Sequence, residues 1–258
     1  MLELQNVSCG YADHSLGIFR KAKVRTVLHD IQLAINKNEF FGLVGESGCG
    51  KSTLAKAILG FVPFTGSMRL EGKLMDGDFF RDRKTVSRCI QAVPQDPLSA
   101  LDLKRTIGET VMEPLVIHSI GTRQERKELA ASMLETVGLN ASYMDRYPSE
   151  LSGGQRQRVC IGASLILKPK FLIADEAISS LDVSVGSQIL NLFRELHQKM
   201  EFSMLFISHN IDVVNYLCDR IAVIHDGTIV EAGPSEQICS SPSHPYTRQL
   251  IASARLGK

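Results

Sequence analysis

The sequence has no tryptophan, no long apolar run and no excess of charge of one sign. Its 29 Lys and Arg residues balance 28 Asp and Glu residues, so it lacks the basic surplus typical of dedicated nucleic-acid-binding domains. No segment reaches the roughly 18 consecutive apolar residues that a membrane-spanning helix needs. The amino terminus lacks the charged-then-apolar pattern of a signal peptide. We therefore expect a globular protein that acts in the cytoplasm and does not bind nucleic acid.

The six cysteines are scattered along the sequence, with no C-x-x-C pair and no close cluster with any of the seven histidines. This spacing argues against a structural zinc site and against a disulfide framework. The length of 258 residues suits one large α/β domain, or a core with a subdomain.

Apolar periodicity predicts alternating strands and helices, which favours a mainly parallel sheet covered on both faces. A helix is expected after Gly50, with Leu54, Ala57, Ile58 and Phe61 on one face. Residues 66–93 have strand-like character, and residues 12–26 have the character of an exposed, basic loop. Strands are predicted at 2–7, 27–35, 40–44, 171–174, 204–207, 221–224 and 228–231, the last two joined by an Asp226-Gly227 hairpin turn.

The sequence predicts a helical insertion in the middle of the chain. Two T-x-x-E capping boxes, beginning at Thr106 and Thr122, each indicate the start of a helix. The second helix is expected to present a stripe of apolar residues and to end at Gly138. The stripe consists of Leu129, Met133, Leu134 and Val137.

A phosphate-binding loop is predicted between the third strand and the following helix. Residues 45–52 fit the pattern G-x-x-x-x-G-K-[ST], in which glycines let backbone N–H groups curve around phosphate oxygens. Lys51 would bring positive charge to the β- and γ-phosphates of ATP, and Ser52 a hydroxyl to Mg²⁺. A purely structural glycine turn would leave this Lys-Ser pair unexplained. The predicted nucleotide-binding residues here are Gly45, Glu46, Ser47, Gly48, Cys49, Gly50, Lys51, Ser52 and Thr53.

Two acids follow the apolar strand at 171–174. Charge at the end of a buried strand is costly unless it meets a cation, which favours a metal-linked role over two solvated acids. Asp175 is the candidate for holding Mg²⁺ through water, and Glu176 for orienting or deprotonating the attacking water.

The pentapeptide Leu-Ser-Gly-Gly-Gln at 151–155 narrows the choice of family. Ser152 and Gln155 by themselves form another capping box, which does not explain the two glycines between them. With the phosphate loop, the pentapeptide resembles the signature of ABC-type ATPases. The resemblance implies an α/β P-loop NTPase fold: a RecA-like core with an N-terminal antiparallel β-subdomain (1–96 and 151–230), an inserted α-helical subdomain (97–150) and a tail (231–258).

Further family motifs occur in the expected order. The resemblance implies that Tyr11 stacks on adenine, that Gln95 senses Mg²⁺ and joins the core to the insertion, and that His209 touches the γ-phosphate. Taken alone, each residue could have a purely structural role: Tyr11 as a half-buried aromatic, Gln95 as a turn residue, and His209 as a histidine at the end of a strand. Two departures, Ala177 in place of a common Pro and Asn210 in place of a common Asp, leave the catalytic groups intact.

The family resemblance also implies site roles for whole groups of residues. The expected catalytic residues are Glu176, His209, Lys51 and Gln95, and the expected Mg²⁺ ligands are Ser52, Gln95 and Asp175. The residues expected to contact the nucleotide or partner subunit across a dimer are Ser152, Gly153, Gly154, Gln155 and Asp182.

The resemblance further implies a set of partners. We expect a head-to-tail dimer with a second, different ATPase subunit, two membrane permease subunits, and indirectly an external substrate-binding protein, at the cytoplasmic face of the membrane. The segment His244–Arg248 resembles the tail of ATPases of peptide and nickel importers, although a surface loop with proline turns is an alternative. Nickel or small peptides are therefore the expected cargo. The competing functions are a soluble ABC-type ATPase of cluster assembly or repair, and a nucleotide sensor that does not hydrolyse ATP.

Overall fold

The structure is a computed structural model that describes residues 1–13 and 23–256. It divides into two compact units, Met1–Val86 with Leu205–Lys258, and Ser87–Met204, which are described one at a time. In the described part of the chain, no helix combines the length and apolar character needed to cross a membrane. The predicted division into core, helical subdomain and tail stays a prediction.

The first unit contains an antiparallel sheet. Its strands are β1 (Leu2–Asp13), β2 (Lys23–Ile35), β4 (Phe64–Leu70) and β5 (Lys73–Leu74), in the order β2-β1-β4-β5. The predicted loop at 12–26 is wrong at both of its ends, because residues 12–13 and 23–26 continue the β1–β2 ladder. Strands pair through their backbone groups, which does not require alternating apolar side chains. The polar composition of this segment therefore led to the wrong prediction. Residues 14–22 lie outside the described residues.

The same unit contains four further strands, β3 (Phe40–Val44), β8 (Ser203–Ser208, from Leu205 onward), β9 (Arg220–His225) and β10 (Thr228–Pro234). Strand β3 is parallel to β9, and β10 is antiparallel to β9. The predicted hairpin turn is present, with positive φ angles of 44° at Asp226 and 74° at Gly227. The accompanying helices are α1 (Lys51–Ile58), α2 (Gly77–Arg81), α9 (Ile211–Leu217), α10 (Ser235–Ser240) and α11 (Pro245–Leu256).

Two further predictions are wrong, one for Phe61 and one for residues 77–89. Phe61 lies beyond the end of α1 and is exposed, so it is not part of the buried helix face. The segment 77–89 is not strand-like, because it forms α2 and then α3 (Arg83–Cys89). Asp76 accepts hydrogen bonds from the N–H groups of Asp78 and Phe79 and so caps α2.

The second unit contains the parallel pair β6 (Ile90–Val93) and β7 (Phe171–Asp175). Its helices are α4 (Pro97–Ala100), α5 (Ile107–Ile117), α6 (Arg123–Thr136), α7 (Gly153–Leu165) and α8 (Val183–Met200). Both predicted capping boxes form, at the starts of α5 and α6. The predicted stripe on α6 is wrong at Leu129, which is exposed, whereas Ala130 takes the buried position. Ala130, Met133, Leu134 and Val137 keep the i, i+3, i+4, i+7 spacing of a buried face.

The predicted P-loop α/β fold class is confirmed, with the antiparallel sheet at the amino terminus and helices between β6 and β7. The alternative of a surface loop for the tail is wrong, because Pro245 is the first residue of α11. Proline suits this position, where its missing N–H would have no partner within the helix.

Candidate functional site

The phosphate loop predicted from the sequence connects β3 to α1 in the first unit. All five residues of β3 are buried, and α1 begins directly after Gly50. Gly50 has φ 109°, and a Cβ atom there would lie 2.5 Å from Cδ2 of Leu28. A glycine therefore suits both the backbone conformation and the space. Because glycine has no side chain to cap the helix, the first N–H groups of α1 face the loop and favour an anion.

Lys51 is the first residue of α1, and its side chain contacts the loop. Its Nζ atom donates hydrogen bonds to the carbonyl oxygens of Gly45 (2.8 Å) and Glu46 (2.7 Å), and the residue is 5% exposed. The carbonyl dipoles compensate for the burial of the ammonium group. Cys49 is also buried, and burial raises the pKa of its thiol, which agrees with a small neutral filler in the loop.

Tyr11 lies next to the phosphate loop, as a residue that stacks on the adenine of a bound nucleotide must. Its hydroxyl oxygen is 3.4 Å from Oγ1 of Thr53, although the two residues are 42 positions apart. The tyrosine is 45% exposed, so part of its ring is open to a ligand. Ser52, the predicted Mg²⁺ ligand, is exposed on the first turn of α1.

His209 is exposed and is the first residue after β8, a strand that neighbours β3 in the sheet. Asn210 caps the following helix, with its side-chain oxygen accepting from the N–H groups of Asp212 (3.0 Å) and Val213 (3.4 Å). Asparagine and aspartate are comparable in this capping role. The departure from the common family residue at position 210 therefore preserves the helix start beside His209.

The second unit brings Gln95 and Glu176 together. Strands β6 and β7 are parallel, and Val93 lies opposite Ala174. Gln95 and Glu176 each follow these residues by two positions, so both lie at the carboxyl ends of the two strands. The Nε2 atom of Gln95 donates a hydrogen bond to Oε2 of Glu176 at 2.9 Å. This contact links the predicted Mg²⁺-sensing glutamine to the predicted catalytic carboxylate, and it holds the carboxylate in one orientation.

Glu176 adopts a left-handed backbone conformation, with φ 49°, which is uncommon for a residue other than glycine. Its carbonyl oxygen accepts two hydrogen bonds from Ser179, one from the N–H (3.0 Å) and one from the hydroxyl (2.9 Å). Sequence reasoning missed Ser179, and its place three residues after the acid is the signal that could have identified it. Strained backbone at a candidate catalytic residue, held by its surroundings, is frequent at functional sites.

The signature residues form the start of α7. Ser152 is the N-cap, with its N–H donating to Oε1 of Gln155 (2.9 Å) and its Oγ accepting from the N–H of Gln155 (3.4 Å). The Nε2 atom of Gln155 donates to the hydroxyl of Tyr143 at 3.0 Å, a contact that the sequence did not indicate. Gly153 is exposed, whereas a Cβ on Gly154 would lie 2.4 Å from Cγ1 of Val185 on α8. One glycine is therefore open to a ligand, and the other permits close helix packing.

Asp182, the last of the predicted site residues, caps α8 by accepting from the N–H of Val185 at 2.9 Å. Beside α7 and α8 lies a pocket of about 430 Å³. It is lined by the signature residues Ser152, Gly154 and Gln155 together with Tyr143, Arg158 and Gln188. The signature therefore opens onto a polar recess within the second unit.

The motifs described so far coincide with a known protein family. A family profile described as ABC transporter matches residues 28–179, which is more than half of the chain. The chain belongs to the ABC transporter family. This assignment confirms the prediction of an ABC-type ATPase, and ATP is its substrate.

Individual members of the ABC family agree with this assignment. The di/tripeptide transport ATP-binding protein DppF of Pseudomonas aeruginosa is 40% identical over 240 residues, covering 92% of this chain and 74% of that protein. The glutathione import ATP-binding protein GsiA of Pectobacterium atrosepticum is 45% identical over 215 residues, covering 83% of this chain and 34% of that protein. A dimeric ATP-binding cassette solved in a post-hydrolysis state with ADP and Pi is 27% identical with a TM-score of 0.77, covering 91% of this chain and 99% of that chain.

The side chains present also suit Mg²⁺, which ABC ATPases use with ATP. Mg²⁺ prefers oxygen ligands and takes few of them from the protein, the rest being phosphate and water. In the first unit, Ser52 offers a hydroxyl oxygen. In the second unit, Gln95 and Asp175 offer an amide and a carboxylate oxygen, and because Gln95 directs its Nε2 towards Glu176, its amide oxygen can face a cation. Within the described residues, no group of three or more His, Cys, Asp and Glu side chains is placed to hold a metal ion.

Proposed function

We propose that this ABC ATPase energises the import of small peptides. The observation that carries the proposal is the 40% identity, over 92% of the chain, with a protein named for di/tripeptide transport. The second relative is named for the import of glutathione, which is itself a small peptide. Nickel, the other cargo expected from the tail, appears in neither name. Peptides are therefore the cargo that we favour.

The proposed assembly is a head-to-tail pair of ATPase subunits at the cytoplasmic face of the membrane, contacting two permease subunits. An external substrate-binding protein would deliver the peptide. The dimeric state of the similar cassette that binds ADP and Pi supports the pairing. The resemblance to peptide and nickel importers implies two different ATPases, so we propose that the second subunit is a different chain.

Within this assembly, the phosphate loop holds the substrate. Tyr11 stacks on adenine, the N–H groups at the start of α1 receive the phosphates, and Lys51 exchanges its carbonyl partners Gly45 and Glu46 for phosphate oxygens. Because the Lys51 ammonium is already buried, this exchange brings its positive charge to the β- and γ-phosphates without a further desolvation cost for the lysine. The signature residues and Asp182 of one subunit approach the nucleotide held by the other, where the exposed Gly153 lets the backbone come close.

Hydrolysis requires a base for the attacking water, and we assign this role to Glu176. Its carboxylate is oriented by Gln95 and its backbone by Ser179, so the base is held in position before the substrate arrives. His209 then contacts the γ-phosphate. Ser52, Gln95 and Asp175 would serve as ligands of Mg²⁺, which when bound would neutralise negative charge at the transferred group.

Uptake by a deletion strain tests the proposed cargo. A strain lacking this gene, complemented with the wild type, with Glu176→Gln or with an empty vector, is assayed for uptake of a labelled dipeptide and of radioactive nickel. We expect dipeptide uptake to be lost with the empty vector and with Glu176→Gln, and restored by the wild type, while nickel uptake is the same in all strains.

Other outcomes separate the alternatives. Loss of nickel uptake with intact dipeptide uptake would replace peptides with nickel as the cargo. Unchanged uptake of both, together with recovery of the chain only in complexes without permease subunits, would favour the soluble ABC-type ATPase of cluster assembly or repair.

A further inference from the structure

The tail of the chain contacts the phosphate loop through Tyr246. The N–H of Glu46 donates a hydrogen bond to the hydroxyl oxygen of Tyr246 at 3.2 Å, although the two residues are 200 positions apart. Tyr246 lies in the first turn of α11 and is only 8% exposed. Its neighbour Thr247 is fully buried. The segment is therefore part of the packed structure around the loop, not a peripheral appendage.

Several contacts hold Tyr246 in place, and we call its supports His225, Glu231, Ser243 and His244 the tail anchor. The Tyr246 ring stacks on the His225 ring at 3.8 Å between centroids, with the planes 25° apart. The N–H of Tyr246 donates to Nδ1 of His244 at 3.2 Å. The hydroxyl is thus presented to Glu46 by a ring that is restrained at its face and at its backbone.

Within the tail anchor, the carboxylate of Glu231 on strand β10 holds the backbone of Ser243 and His244. Glu231 accepts hydrogen bonds from the N–H groups of Ser243 (2.7 Å) and His244 (3.1 Å). Burial, the largest influence, raises the pKa of Glu231, but hydrogen bonds, these two among them, together with the neighbouring His244 lower it by more, so that its pKa lies below the ordinary value. The carboxylate is therefore charged at neutral pH, when charge-assisted hydrogen bonds to it are strongest.

The hydrogen bond to Tyr246 orients a specific peptide plane of the phosphate loop. The N–H of Glu46 and the carbonyl oxygen of Gly45 belong to the same peptide unit, and this carbonyl accepts from Lys51 at 2.8 Å. Farther along the loop, the N–H of Gly227 donates to the carbonyl oxygen of Cys49 at 3.2 Å. The loop is held from the β9–β10 turn and from the tail at once, and a loop that is already ordered loses less entropy when it binds.

We propose that Tyr246 is a positioning residue that fixes the Gly45–Glu46 peptide plane and so preorganises the phosphate loop for nucleotide. This inference rests on the proposed role of residues 45–53 in binding phosphate. Tyr246 acts through the loop and not on the substrate itself. It is therefore expected to affect the binding of ATP and ADP alike, because both carry the β-phosphate that the loop surrounds.

The variant Tyr246→Phe removes the hydroxyl and keeps the ring that stacks on His225. Because one hydrogen bond is lost, we expect the Kd of ATP and of ADP to rise by roughly three- to tenfold. The KM for ATP should rise by a similar factor, while kcat at saturating ATP stays within about a factor of two, since the catalytic groups are unchanged. Equilibrium nucleotide binding and steady-state phosphate release measure these quantities on the full-length chain.

Two control variants separate positioning from general stability. Ile251→Val shortens a buried side chain on the same helix, α11, and is expected to lower Tm without changing the Kd of ATP. Tyr147→Phe removes the hydroxyl of an exposed tyrosine and should change neither quantity. An unchanged Kd in Tyr246→Phe, or an equal rise in Ile251→Val, would overturn the inference.

A third variant separates this inference from the assignment of the loop. Lys51→Ala should abolish nucleotide binding if residues 45–53 hold the phosphates. If Lys51→Ala binds ATP as the wild type does, the loop assignment fails, and the role of Tyr246 fails with it. If Lys51→Ala loses binding but Tyr246→Phe does not weaken it, only the role of Tyr246 is refuted.

Discussion

The substitution Glu176→Gln tests the catalytic assignment most directly, because the structure indicates that it removes the charge and little else. Gln95 donates its Nε2 hydrogen to Oε2 of Glu176 at 2.9 Å, and the oxygen of a glutamine side chain can accept the same bond. The two hydrogen bonds from Ser179 reach the main-chain carbonyl oxygen of residue 176, so they survive the change. The left-handed backbone at this position is equally available to glutamine.

The expected magnitude follows from the loss of a general base. A positioned base contributes roughly a hundredfold to ten-thousandfold to the rate, which corresponds to about 3–5 kcal/mol of transition-state stabilisation. We expect kcat for ATP hydrolysis to fall by about that factor and the Kd of ATP to stay within about twofold, because the base contributes to the chemical step and not to binding. ATP that is bound but not hydrolysed should also trap the closed dimer, which size-exclusion chromatography with ATP and Mg²⁺ detects.

The matched control is Glu195→Gln, the same chemical change at an exposed position on α8, which should leave kcat unchanged. Hydrolysis by Glu176→Gln at the wild-type rate would show that another group activates the water. A weakened ATP affinity would show instead that the carboxylate contributes to the nucleotide site, which contradicts its proposed role.

Two further predictions concern the second unit. Ser152→Arg removes the cap of α7 and places a large cation at the signature. It should leave ATP binding by the isolated chain intact and abolish the ATP hydrolysis that depends on the dimer. Unchanged hydrolysis would contradict a nucleotide shared between subunits. Burial raises the pKa of the Cys160 thiol to about 12. The native protein should therefore keep this thiol protonated and unalkylated by iodoacetamide at about pH 8, whereas the unfolded chain reacts. Because the unfolded thiol ionises first, Cys160 should destabilise the fold as pH rises above its ordinary pKa of 9.0. Rapid alkylation of Cys160 itself in the native protein, located by peptide mass spectrometry, would refute its burial.

The sequence predicted those features whose cause lies within a few neighbouring residues. Local spacing was enough to predict the phosphate loop, the capping boxes at Thr106, Thr122 and Ser152, and the paired acids at the end of β7. A capping box needs only two side chains three positions apart, and a phosphate loop needs only glycines and a Lys-Ser pair at the start of a helix. These local patterns also sufficed to identify the ABC family.

Tertiary structure decided what depends on distant partners. The sequence predicted strand where residues 77–89 are helical, and buried positions for Phe61 and Leu129, which are exposed. These predictions failed because the surrounding structure decides which apolar residues are buried. The bond from Gln95 to Glu176 joins residues 81 positions apart, and that from Glu46 to Tyr246 joins residues 200 apart. No local period encodes such pairs, since the packing of β6 beside β7 and of α11 beside the phosphate loop creates them. The sequence by itself thus determined the kind of chemistry and the family, and only the fold decided which side chains orient that chemistry.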